Sequence, residues 1–136
     1  EEGLKMATES KSYNDPKTGI LTLKYKILIP PVRWHLDSAE RRAASSPDTF
    51  QIPPAWRREN LVPGDSAKLL FLDSAGRGER MWVRITQASK PGPDRATLYV
   101  GTLLNAPVLG ALPRKGTAIE FGPEHVADIA EAEDEN

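Results

Sequence analysis

Cysteine is absent from the 136 residues, which excludes a disulfide framework, a zinc ribbon, a thiol nucleophile and an iron–sulfur site. Long apolar runs are missing as well. Ile27 to Ile29, closed by Pro30-Pro31, falls far short of the ~20 residues that span a bilayer, so no membrane partner is expected. No charged-then-apolar signal segment opens the chain. The first residue is Glu and the first methionine is Met6, which leaves targeting open with the cytoplasm as the expected location. A charge excess is lacking too: 18 Lys and Arg stand against 19 Asp and Glu, a net charge of −1. A dedicated nucleic-acid binder carries a marked basic excess, so no nucleic-acid partner is expected.

Catalytic signatures are equally sparse. Only two histidines occur, His35 in Arg33-Trp34-His35-Leu36-Asp37 and His125 in Pro123-Glu124-His125-Val126. Neither has metal-ligand spacing, and each reads more simply as a surface or capping residue than as a base oriented by Asp37 or Glu124. No Gly-x-Ser-x-Gly elbow is present. Lys17-Thr18-Gly19 lacks the Ser-x-x-Lys and Ser-Asp-Asn partners of a β-lactamase signature. Gly76-Arg77-Gly78 lacks the third glycine and the following helix of a dinucleotide loop. The expectation is a protein without catalytic residues, cofactor or metal.

What the chain does have is punctuation. Ten glycines and twelve prolines exceed the typical combined share of roughly 12%, favouring short strands and turns over long helices. Residues 1–19 are polar, with a turn at Asn14-Asp15-Pro16, and are expected to be flexible. Ile20 to Ile29 alternates with period two, as a half-buried strand does. Asp37-Ser38-Ala39-Glu40 has the form of a capping box that starts a short helix through about Ala44. Ala55 to Glu59 reads as one helical turn after a proline pair.

The second half is more legible. Ala67 to Leu72 and Met81 to Thr86 read as strands joined by the hairpin loop Asp73–Gly78, followed by strands at Thr97–Leu104 and Thr117–Phe121. Met81, Val83 and Ile85 should share an apolar cluster with Leu70 and Leu72. Trp82 falls on the other face, where the helical turn around Trp56 is expected to cover it. Trp34 is a candidate partner anchor. Asn105-Ala106-Pro107 reads as a strand stop, Asn105 bonding backbone and Pro107 barring further pairing. Arg41-Arg42 and Arg57-Arg58 read as solvated pairs, since helical neighbours splay apart.

Glu79-Arg80-Met81-Trp82-Val83, then Tyr99-Val100-Gly101-Thr102-Leu103-Leu104-Asn105-Ala106-Pro107, then Gly116 and Ile119-Glu120-Phe121 resemble the YegJ-like bacterial domains of unknown function. The likeness covers about residues 61–130. It implies a compact β-rich domain and supplies no catalytic residues. Members of this kind look similar to small proteins encoded beside polymorphic toxins.

The expected architecture is α+β and β-rich: a small SH3-like bent antiparallel sheet or barrel with one or two short helices. Residues 20–130 should form a single domain and 131–136 an acidic disordered tail. Charge is uneven, for residues 101–136 hold two basic side chains against seven acidic ones. Glu120, Glu124 and Asp128, with Trp34, are therefore the expected partner-binding residues. The expected function is a non-enzymatic immunity protein that binds a cognate toxin and plugs a basic cleft with this acidic surface. The alternative is a housekeeping scaffold or small-ligand module.

Overall fold

The computed structural model describes residues 5–7, 13–14, 21–22, 27–29, 33–93 and 96–132. The chain divides into two compact units, Glu1–Val32 and Arg33–Asn136. In the first, β1 (Lys5–Ala7) pairs antiparallel with β4 (Ile27–Ile29), and β2 (Tyr13–Asn14) with β3 (Leu21–Thr22). Two of these strands lie within residues 1–19, where flexibility is expected. Of the strand predicted over Ile20 to Ile29, residues 20 and 23–26 lie outside the described residues.

The second unit contains β5 (Trp34–Leu36), α1 (Ala39–Ser45), α2 (Ala55–Arg58), β6 (Ser66–Asp73), β7 (Gly78–Ser89), β8 (Leu98–Leu103), β9 (Ala118–Phe121), a 3₁₀ turn at Pro123–His125 and β10 (Asp128–Ala130). Among the described residues, six of these strands form one antiparallel sheet in the order β10-β6-β7-β8-β9, with β5 sharing the outer edge of β6. The sheet curls into a half-barrel, so the chain is α+β and strand-rich with an SH3-like bent sheet. β10 takes residues 66–68 of β6 and β5 takes 71–73, which leaves little of that edge unpaired.

Local chemistry sets the β6–β7 hairpin. The buried Asp73 carboxylate accepts the Ala75 and Arg77 N–H groups, each at 2.9 Å, and the Arg77 Nε at 2.9 Å. The Arg77 N–H, followed by Ala75 and the Arg77 guanidinium, holds the Asp73 pKa below the usual carboxylate range despite desolvation. Gly76 supplies the left-handed backbone at φ +86°, which costs a residue with a Cβ. Across the sheet, Thr86 is the extra residue of a bulge between Ile85 and Gln87. Gly101 lies opposite Ile85, and a Cβ there would run into the Arg84 carbonyl oxygen and Val83 Cγ1. Asn105 Oδ1 accepts the Trp82 N–H at 2.7 Å, satisfying a donor of β7 one residue before its ladder with β8 begins at Val83. The Met-Trp-Val and Gly-x-Leu-x-Asn segments are thus two halves of one strand-pairing device.

The core combines Met81, Val83 and Ile85 of β7 with Ala67, Leu69 and Phe71 of β6, Tyr99 and Leu103 of β8, and Ile119 and Phe121 of β9. Tyr99 and Phe121 stack tilted with centroids 5.3 Å apart. This corrects one prediction. Leu69 pairs with Met81 and Ala67 with Val83, so Leu70 and Leu72 point to the opposite face. Leu70 is still buried, and its carbonyl accepts the Asp37 N–H. An unbroken apolar run carries no parity, so the sequence could not say which set faced the core. The helix start is corrected as well. Ser38, not Asp37, caps α1 by accepting the Arg41 N–H at 3.0 Å, while Asp37 accepts from Ser38 N–H and Arg42.

Truncating Ile85 or Leu69 to alanine is expected to cost about 2–5 kcal/mol in urea unfolding. Leu72→Ala, at a half-buried outward position, should cost distinctly less. Equal losses at Leu69 and Leu72 would contradict the assigned faces.

Candidate functional site

Two adjacent arginines at the end of α2 set up the site, because successive helical residues point roughly 100° apart. Arg58 turns inward and is 6% exposed. Its Nε donates to the Pro53 carbonyl at 2.8 Å. Its Nη1 donates to Glu40 Oε2 at 2.7 Å and to the Pro123 carbonyl at 3.0 Å. The Arg58 carbonyl accepts the Tyr99 hydroxyl at 2.8 Å, and that same hydroxyl accepts the Leu61 N–H at 3.2 Å. Burial pushes the Tyr99 phenol up, the Leu61 N–H opposing. One residue therefore ties α1, α2, the 3₁₀ turn and β8 together, and fixes the end of the non-helical segment 46–54 through Pro53.

That segment places Phe50 on the molecular surface. The Phe50 ring is half-buried, with the Arg80 guanidinium 5.5 Å and the Arg42 guanidinium 5.9 Å from its centroid, within cation–π range. On one side lies a groove of about 430 Å³ lined by Phe50, Arg57, Lys68, Arg80 and Asp128. An adjoining recess of about 450 Å³ shares Phe50 and Arg80 and adds Asp37, Arg41 and Arg42. Five cations and two carboxylates thus line the two recesses that share the Phe50 ring. Arg42 is oriented by Asp37, whose Oδ2 accepts its Nε at 2.6 Å. Burial pushes the Asp37 carboxyl up, but the bonds from Arg42 and Ser38 outweigh it and hold the pKa below its ordinary value.

The outward face of β6–β7 continues the pattern. Arg80, Trp82 and Arg84 alternate along β7, and Lys68 stands opposite Trp82. The Lys68 ammonium lies 5.2 Å from the Trp82 ring. Trp56 itself is 68% exposed, because α2 turns Arg58 rather than Trp56 inward, and the half-buried Trp82 ring is met by Lys68.

The residues singled out from sequence fall on separate features. Asp128 lies on β10 opposite Lys68 and lines the basic groove. Glu124 lines a different recess with Glu40 and Glu59. Glu120 is exposed on β9 opposite Val100. Trp34 is half-buried and packs on Phe71, ring centroids 5.6 Å apart. Glu131 and Ala132, the first residues of the expected tail, are held by Arg57 at 3.4 Å and by Asp65 Oδ1 at 3.1 Å; residues 133–136 lie outside the described residues. His125 Nδ1 accepts the Gly122 N–H at 3.0 Å, a capping role. Sequence reasoning missed Phe50, Lys68 and Arg80, and it read Arg57-Arg58 as a solvated pair although Arg58 is buried. The available signal was the outward period-two set Arg80, Trp82 and Arg84.

Two outcomes are expected. Arg58→Ala should lower stability by about 3 kcal/mol, since removing one member of a buried charged network strands its partners; a change in the urea midpoint indistinguishable from zero would contradict that role. Asp37, with its folded pKa lowered, stabilises fully above the unfolded carboxylate pKa of about 3.9 and progressively less as pH falls through the folded value. The stability gap between wild type and Asp37→Asn should therefore be widest near neutrality and close in acid. A gap independent of pH would contradict it.

Among the described residues, no group of three or more His, Asp or Glu side chains is placed to hold a metal ion, and no helix is long and apolar enough to cross a membrane. Comparisons with protein families, curated proteins and solved structures give no match for this chain.

Proposed function

We propose that this chain is a non-catalytic binding protein, and specifically a bacterial immunity protein that neutralises a cognate toxin by stoichiometric occlusion in the cytoplasm. The observation that carries the binding reading is the Phe50 ring in cation–π range of the Arg42 and Arg80 guanidinium groups on an open groove. Aromatic and arginine side chains supply most hot-spot energy at protein interfaces, where lysine and acidic residues contribute less. The rigid sheet beneath Arg80 and the Arg58 network beside Phe50 reduce the entropy lost on binding. The toxin form leans on the resemblance of residues 61–130 to the YegJ-like domains.

The acidic positions Glu120, Glu124 and Asp128 stand on β9, the 3₁₀ turn and β10, and Asp128 alone lines the groove. Exposed charges at an interface mainly set association rate.

The test is co-expression with the product of the adjacent reading frame in the genome. The expected result is relief of that product's toxicity together with a complex of fixed stoichiometry in size-exclusion chromatography. Absence of a complex would contradict the proposal. So would protection at far below equimolar amounts, which is the behaviour of a catalyst.

A further inference from the structure

We infer that the groove around Phe50 receives a short acidic segment of the partner protein, one that sets an apolar side chain on the Phe50 ring and carboxylates on the surrounding cations. The inference rests on the binding-protein reading above and gives it a site and a partner chemistry.

The charges of the groove argue for this occupant. Arg41, Arg42, Arg57, Lys68 and Arg80 line the two recesses that meet at Phe50 and Arg80. Arg42 is already oriented by Asp37, so its guanidinium is presented in a fixed pose, and a planar guanidinium donates to a carboxylate as a bidentate fork. Arg57 is held only by a 3.4 Å contact to the exposed Glu131, an exchangeable surface pair of the kind worth under about 1 kcal/mol. A partner carboxylate can displace it. Among the described residues, no carboxylate lies within ion-pair distance of Lys68 or Arg80. The half-buried Phe50 ring supplies the apolar contact, with the Arg42 and Arg80 guanidinium groups beside it.

The same geometry disfavours a nucleic-acid strand. Asp37 lines one recess and Asp128 the other, so carboxylates interrupt the cationic lining. A phosphate backbone gains affinity by neutralising many phosphates along a continuous track, which this lining does not offer. An extended peptide advances about 3.3 Å per residue and alternates its side chains, so it can space its acids to meet the cations and leave the aspartates unopposed.

The experiment is a titration of the full chain, followed by fluorescence anisotropy, with a labelled octapeptide of six glutamates around a central Leu-Phe pair. The lysine counterpart of the peptide and an eight-nucleotide oligothymidylate are run beside it. The expected result is saturable binding of the acidic peptide that weakens with salt, as screening requires. Arg80→Glu and Phe50→Ala should each weaken it at least tenfold with the thermal midpoint retained, and Arg114→Glu, the same charge reversal at an exposed position outside the groove, should leave it within twofold. Arg80→Gln, at an exposed position, repeats the test without a charge reversal. No saturable binding, tighter binding of the oligothymidylate, or wild-type affinity in both Arg80 variants would overturn the inference. If the peptide fails while the chain still forms its fixed complex with the neighbouring gene product, the groove assignment falls and the binding-protein reading stands. Peptide binding without that complex removes the toxin role and keeps the groove.

Discussion

The buried guanidinium of Arg58 is the interaction on which the rest of this unit's surface depends. A charge this far from water persists only when its donors are matched, and here it meets the Glu40 carboxylate and two carbonyls, at Pro53 and Pro123. Those partners come from α1, from the segment before α2 and from the 3₁₀ turn after β9. Neither helix is long enough to be stable alone, at seven and four residues, since isolated helices shorter than about 12 residues are marginal in water. The network, joined to the core through the Tyr99 hydroxyl, substitutes for the packing surface such short helices lack. The segment that carries Phe50 is tied to that network at Pro53 and to the end of α1 by the Phe50 N–H bond to the Ser46 carbonyl.

Electrostatics then sorts itself by face. A net charge of −1 conceals a cationic groove on one side and the recess of Glu40, Glu59 and Glu124 on another. Arg57 and Arg58 illustrate how folding achieves this: one helical step separates a residue that lines the groove from one that is buried. Composition averages over such separations, and so the balance of 18 against 19 charges could not disclose the groove.

How much was legible in the sequence follows from which physical signals are local. The period-two pattern of β7 placed Met81, Val83 and Ile85 correctly on the core face, because alternation is itself the geometry of a strand. β6 resisted, since its run of apolar residues satisfies either parity, and register with β7 decided it. The hairpin at Asp73–Gly78 was readable from its glycines. The role of Asn105 was readable in kind, as a bond to backbone, yet its partner Trp82 lies 23 residues away and no local rule names it. The same holds for the site. The groove draws on segment 46–54, α1, α2, β6, β7 and β10, a convergence of non-local pairings that no spacing in the chain records. Grouping acidic residues by sequence position, as with Glu120, Glu124 and Asp128, assembled residues that the fold distributes.

The central claim is that the Arg58 network holds the Phe50 segment in place, and amide hydrogen exchange in wild type and Arg58→Met tests it most directly. Methionine keeps much of the volume while removing the charge and every donor. Protection should fall at Phe50, at Arg57 to Glu59 and at His125 to Val126, whose N–H groups are bonded in the native fold, while β6, β7 and β8 keep theirs. Unchanged protection at Phe50 and Arg57 to Glu59 in Arg58→Met would contradict the account.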